Sequence, residues 1–277
     1  LQIYESALGK EHPKVATTLN NLAYVYKIQG NDARALRLFE RSLGILETAF
    51  GKHHHHIASP LNNLAYMYAS RGDYAQAEPL YLRALKIRET SLGKNHPDVA
   101  GSLNNLAFVY KSRGDLDRAL LTFKRALEIF ENALGKDHPE VATALNNLAG
   151  LYTDQGDYSE AVPLYERALE VRVAALGKNH PDVAGSHNNL AHLYKSQGQY
   201  ARALPLYIRA LEIVEGALGK DHPKVAATLN NLAEVYAGTE AWKQTEKLLR
   251  RAFSIEQIHL ARNLGTATAA EQRDFVA

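Results

Sequence analysis

The chain of 277 residues contains no cysteine, so it can hold no disulfide, no thiolate nucleophile and no cysteine-based zinc site. That absence fits a reducing compartment, and a cytoplasmic location is expected. Excess charge of either sign is also missing: 32 Lys and Arg against 30 Asp and Glu leave a formal charge of +2. Proteins that grip nucleic acid normally carry a basic stripe, so nucleic acid is not expected as a partner. No apolar run approaches the roughly 20 residues needed to span a bilayer, and no membrane partner is expected. The opening residues show no basic-then-apolar leader pattern. The chain begins at Leu1 rather than at methionine, and an excised piece of a longer protein is expected. Catalytic motifs are missing as well. There is no nucleophile elbow, phosphate loop, HExxH or glycine-rich dinucleotide turn. The recurring Ala-Leu-Gly-Lys lacks the upstream glycine and following Ser or Thr of a phosphate loop. No enzyme activity and no cofactor are therefore expected. What is present is an apolar fraction of 46%, which suits a folded chain.

The sequence repeats. Asn-Asn-Leu-Ala begins at Asn20, Asn62, Asn104, Asn146, Asn188 and Asn230, always 42 residues apart. Gly-Lys-x-His-Pro-x-Val-Ala keeps the same step from Gly9, Gly93, Gly135, Gly177 and Gly219, and is degraded at Gly51 to Gly-Lys-His-His-His-His-Ile-Ala. Six units cover residues 9–260. Repetition at this period means a solenoid in which each unit packs on its neighbours. A weaker doubling is superimposed: Lys27, Lys111 and Lys195 recur in every second unit, as does Gly-Lys-Asn-His-Pro-Asp-Val-Ala-Gly-Ser from Gly93 and Gly177. Partial duplication of a two-unit block accounts for it.

Each unit reads as two helices. Leu19, Leu22, Ala23 and Tyr26 fall at i, i+3, i+4 and i+7, one face of a helix. Gly30-Asn31-Asp32 supplies the turn, with Gly72, Gly114 and Gly156 in the same place. Ala77, Leu80, Tyr81 and Ala84 give the second helix its face, and Gly93 stops it. Pro97 suits a first helical turn because the N–H it lacks would be unbonded there, and His96 is placed to cap it. The expected fold is all-α: an α-solenoid, a right-handed superhelix of helix pairs. Unit six departs from the pattern, with Glu240 at the turn glycine, Thr245 at the small alanine and Trp242 at the tyrosine, as terminal repeats often do. Residues 1–8 align with 43–50 and are expected to be the remnant of a preceding unit. From 261 to 277 the repeat is lost. Thr268-Ala-Ala-Glu271 is a capping-box pattern, so a linker and a fresh helix start near Ala269 are expected.

Leu22-Ala23, Tyr26, Ala35 and Phe39, with their equivalents 42 residues on, resemble the tetratricopeptide repeat. That family's usual unit is shorter by the Gly-Lys-x-His-Pro segment, and the longer form resembles the repeats of kinesin light chains. The resemblance implies helix pairs whose first helices line a concave groove, and a scaffold for protein–protein interaction. In kinesin light chains the matching groove holds short acidic peptides containing tryptophan. The stretch Leu260 to Leu264 followed by Ala270 to Phe275 resembles the segment before a CHAT domain, a caspase-like peptidase fold. On that resemblance the chain would be the recruiting or sensor arm of a multidomain peptidase. A self-associating structural array, joined through exposed ends, is a third reading.

On the first helix Asn20, Tyr24 and Lys27 share a face at i, i+4 and i+7, away from the core positions. The expected peptide-binding residues are therefore Asn20, Asn62, Asn104, Asn146, Asn188 and Asn230, with Tyr66, Phe108, His192, Lys27, Lys111 and Lys195. An amide offers two donors and an acceptor, so a ladder of them can hold an extended peptide by its backbone. The alternative is that each asparagine bonds its neighbouring repeat. Asn21 and its equivalents are assigned to bonds between helices. The position after the ladder varies (Tyr24, Tyr66, Phe108, Gly150, His192, Glu234), and variation on a constant scaffold is where specificity would lie. Aromatic and lysine residues favour a partner with apolar and acidic side chains, and Gly150 leaves a gap for a bulky one. Arg41, Arg83, Arg125, Arg167, Arg209 and Arg251 recur on the second helix. They are read as structural, through i,i+3 pairs such as Arg125–Glu128, Arg167–Glu170 and Arg209–Glu212. His53 to His56 are read as a solvated loop between repeats, with no metal expected, because neighbouring histidines seldom give tetrahedral geometry unaided.

Overall fold

Glycine and histidine punctuate the chain as the repeat suggests. In a computed structural model that describes residues 1–274, with side chains through residue 261, there are thirteen α-helices and no strand among the described residues. His12, His96, His138, His180 and His222 each cap the helix that follows. Their Nδ1 atoms accept the N–H two residues on, at 3.1–3.2 Å, with proline at the first helical position. At the other end of the pair Gly93 has φ 89° and ψ 154°, a backbone region essentially open to glycine alone. The helix therefore stops there and the chain turns into the next unit.

The helices form two compact units. The first, Leu1–Gly135, holds α1 (Gln2–Leu8), α2 (Pro13–Ile28), α3 (Asp32–Phe50), α4 (Ala58–Ser70), α5 (Tyr74–Leu92), α6 (Pro97–Ser112) and α7 (Leu116–Leu134). A 3-10 turn, His55–Ile57, precedes α4. Within this unit α2 packs on α3, α4 on α5 and α6 on α7. The pairs join through α3–α4 and α5–α6, and α4 also touches α6. The second unit, Lys136–Ala277, holds α8 (Pro139–Asp154), α9 (Tyr158–Leu176), α10 (Pro181–Ser196), α11 (Tyr200–Leu218), α12 (Pro223–Gly238) and α13 (Trp242–Asp274). It is paired in the same way, with α10 touching both α8 and α12.

Small residues let the helices of a pair approach, and aromatics fill between them. Leu19 and Ala23 of α2 are buried against Ala35 and Phe39 of α3; Ala77, Tyr81 and Ala84 of α5 repeat the pattern. Tyr26 and Leu80 are only partly buried and close the edge of the same core. Gly30, Gly72, Gly114, Gly156 and Gly198 turn one helix into the next with positive φ, and Glu240 follows them at φ 59° without being glycine. The C-terminal expectation needs correction. Helix α13 runs unbroken from Trp242 to Asp274, so no linker precedes Ala269. Residues 266–271 include three alanines, the strongest helix former, and they extend the helix already present rather than starting another.

Candidate functional site

In the first unit, α2, α4 and α6 carry Tyr24, Tyr66 and Phe108 at one register position. All three are exposed, at 56%, 46% and 52%. Large apolar rings this open, one per repeat, are not required by the core. The Lys27 ammonium lies 3.6 Å from the Tyr66 ring centroid and 5.7 Å from that of Tyr24. Electrostatic attraction to the ring faces accounts for the placement. Tyr24, Lys27, Asn62, Asn63 and Tyr66 line a cavity of about 270 Å³, with Phe39 of α3 also in its wall. That volume lies just below the roughly 300 Å³ where small-molecule pockets begin, so it suits one side chain better than a cofactor.

The asparagine ladder takes a different form from the one expected. The Oδ1 atoms of Asn20, Asn62 and Asn146 each accept a bond from the second asparagine of the next repeat: Asn63, Asn105 and Asn189, at 3.0–3.1 Å. The bonds run from first helix to first helix and set the register of stacking. Asn146 is also bonded through Nδ2 to the Ala142 carbonyl at 2.8 Å, and it is buried, as is Asn104. These two do not stand free on the surface. Sequence spacing placed the series off the core because it considered one helix alone; at Asn146 the neighbouring first helix, α10, covers that side. Asn62 keeps a different position. Its oxygen is taken, but it is half-buried and lines the cavity, where its N–H groups can donate.

The second unit presents other chemistry at the same register. Gly150 is half-buried and leaves space, while His192 and Glu234 are exposed. Lys195 is paired with the Glu234 carboxylate and its side chain is only 18% exposed, so its charge is already compensated. Although much of the His192 side chain is open, partial desolvation of the imidazole by its neighbours, then the Lys195 charge, holds it below its usual pKa. Asn188 has a buried oxygen without a hydrogen-bond partner, and Asn230 donates to Glu256 at 3.4 Å. Lys111 of the first unit is half-buried. Among the expected site residues, Lys27, Asn62 and Tyr66 meet at one cavity, and Phe108 continues the exposed row. Asn20 and Asn146 bond the next first helix, and Asn104 is buried with an oxygen that has no hydrogen-bond partner. Sequence reasoning missed Phe39 and Asn63 as cavity residues, because both carry the signature of core and inter-helix positions.

The arginine series is structural in a way that spacing along one helix does not show. Arg41, Arg125 and Arg251 reach Glu5, Glu89 and Glu215 at 2.5–2.8 Å, and Arg83 pairs with Glu47. Each glutamate lies 36 residues earlier, on the preceding repeat. Arg209–Glu212 is the expected pair within one helix, at 2.9 Å.

The comparisons with known proteins agree with this architecture. Models of the tetratricopeptide repeat match residues 15–56, and then 56–132, 99–174, 140–207 and 182–258 in overlapping pairs of repeats. The chain belongs to the tetratricopeptide repeat family. Comparison with curated proteins gave no significant match. Among solved structures, the tetratricopeptide array is similar to BtubC (BKLC) from P. vanneervenii, with 28% identity, a TM-score of 0.66, and 83% of this chain and 90% of that one covered. It is similar to a putative kinesin light chain from Podosopora anserina with nearly identical TPR-like repeats, at 26% identity and TM-score 0.62, over 73% of this chain and 96% of that one. A signal transduction ATPase from Pyrococcus horikoshii with a tetratricopeptide repeat sensor shares the fold at 17% identity and TM-score 0.66, over 88% of this chain and 36% of that one. The array is therefore kinesin-light-chain-like. Tetratricopeptide arrays typically mediate protein–protein interaction and are typically non-enzymatic. No helix among the described residues is long and apolar enough to cross a membrane.

Proposed function

We propose that this tetratricopeptide array is a peptide-binding module, without catalysis of its own, and that its site is the aromatic face of the first unit. The observation that carries the reading is the row Tyr24, Tyr66 and Phe108, exposed at matching positions beside a cavity with a lysine at its wall. Such a row suits an extended segment that sets one large apolar side chain in the cavity. Rigid aromatic rings supply contact area at small entropy cost, which is why they dominate binding energy at interfaces. Asn62 would donate to a backbone carbonyl of the segment, and Lys27 would meet an acidic side chain next to the apolar one. The kinesin-light-chain likeness supports the same face.

Selection from a random peptide library tests this reading. The library is panned on the immobilised protein, with a Tyr24→Ala, Tyr66→Ala variant for counter-selection. Peptides enriched for an aromatic or large aliphatic residue beside Asp or Glu, and lost on the variant, are expected. Enrichment that is identical on both proteins would place the binding face elsewhere.

A further inference from the structure

The second repeat carries histidine where the others carry the helix-opening proline, and the structure gathers it with two neighbours. We propose that the turn before α4 binds one divalent transition-metal ion of the zinc, nickel or copper class through His54, His55 and His56. Ligand nitrogens of the three imidazoles all lie within 4.8 Å of one another. Two nitrogens on one tetrahedral zinc at about 2.05 Å lie roughly 3.4 Å apart, so side-chain rotations at the exposed His55 and His56 complete the approach. Imidazole nitrogens suit these borderline ions and not calcium or magnesium. Among the described residues no carboxylate joins the group, which leaves water or an incoming ligand for the fourth position.

The cluster is held in place, unlike a loose histidine run. The His54 amide donates to the Gly51 carbonyl at 3.3 Å and the Ile57 amide to the His54 carbonyl at 3.1 Å. The Arg83 guanidinium, paired with Glu47, donates to the Lys52 carbonyl at 2.5 Å. The Phe50 ring stacks on His54 with centroids 4.9 Å apart and meets the edge of His56 at 5.0 Å. His54 Nδ1 accepts the His56 amide at 3.3 Å, so its proton sits on Nε2. Ligation through Nε2 moves that proton to Nδ1 and ends this bond, and water can take the exposed amide. His55 stands where the other repeats carry proline, so the exchange that removes a proline adds a ligand. The turn leads directly into α4, the carrier of Asn62 and Tyr66, and a metal there would brace its first residues.

The experiment uses protein purified without an added tag and stripped with chelator, titrated calorimetrically with Zn²⁺ and Ni²⁺. The comparators are a synthetic peptide of residues 51–60, the His55→Ala, His56→Ala double variant, and Arg83→Gln. Circular dichroism confirms that each variant remains helical. One equivalent should bind, at least about tenfold tighter than to the peptide. Arg83→Gln, which removes no ligand but releases the Lys52 carbonyl, should weaken it. The double variant should not bind, and only the unmodified ligand set should show a metal-dependent rise in melting temperature. Equal affinity of protein and peptide, or binding that survives in the double variant, would overturn the proposal.

Discussion

Glu240 is the residue at which this chain departs most plainly from its own rule. It occupies the position of Gly30, Gly72, Gly114, Gly156 and Gly198, with φ 59°. A left-handed conformation costs a residue with a Cβ about 1–2 kcal/mol. Glu240→Gly is therefore expected to stabilise the protein by about 1 kcal/mol after the greater freedom of unfolded glycine is allowed for. Gly156→Ala should destabilise by a similar amount, although a Cβ there meets nothing within 4 Å, because the strain is in the backbone. Denaturant midpoints of the two variants should move in opposite directions. Asn146 makes the second residue-scale prediction. With both ends of its amide bonded and the group buried, Asn146→Ala should cost about 1–3 kcal/mol. An unchanged unfolding midpoint would return that asparagine to the ligand face. The glycine turns and histidine caps were legible in the sequence, since each is a local rule with a fixed offset. The burial of Asn146 was not, because it depends on which face the next first helix, α10, covers.

Between elements, the doubling of the sequence has a physical counterpart. Arg88 of α5 donates to Ser102 Oγ at 2.7 Å and to the Asp98 carbonyl at 3.1 Å, both on α6. Arg172 of α9 repeats this 84 residues later with Ser186 at 2.9 Å and the Asp182 carbonyl at 3.3 Å, on α10. Burial lowers the pKa of both guanidiniums. Gly101 and Gly185 stand beside these serines, and a Cβ at Gly185 would lie 3.9 Å from the Arg172 guanidinium. At the equivalent positions α3 and α4 carry the buried Leu46 and Pro60, and α11 and α12 carry the buried Val214 and Thr228. The arginine–serine junction thus belongs to alternate repeats, a partial reason for the two-unit block seen as a recurring Gly-Ser. Ser186→Ala leaves a half-buried charge short of an acceptor and should cost about 1.5–3 kcal/mol. Arg172→Met removes the charge along with its need, and should be close to neutral or stabilising. Thermal or denaturant unfolding of both variants separates these outcomes; equal losses would deny the arginine its dependence on the serine. The arginine-to-glutamate links across 36 residues belong to the same scale. One helix shows only i,i+3 neighbours, so the cross-repeat partners could not be read from spacing.

At the scale of the whole molecule, units that pack chiefly on their neighbours should give stability that sums over repeats and junctions. Removing α10 to α13 is expected to lower the unfolding midpoint gradually, and complete loss of helix in the remainder would contradict that. The fold was legible because a 42-residue step imposes one solution on all six repeats. The candidate site was half legible: the sequence marked Tyr66, Phe108 and Lys27. It also grouped Lys195 with Lys27, although Glu234 has already taken the Lys195 charge. The two units differ in chemistry at this register, with Tyr24, Tyr66 and Phe108 on the first and Gly150, His192 and Glu234 on the second. The most direct measurement is calorimetric titration of a library-selected peptide into the wild-type protein, Tyr66→Ala and His192→Ala, with melting temperatures taken on the same samples. Tyr66→Ala is expected to lose at least about tenfold in affinity, about 1.4 kcal/mol, with little change for His192→Ala and melting temperatures that stay together. Affinity that survives Tyr66→Ala, or falls only in step with melting temperature, would contradict that expectation.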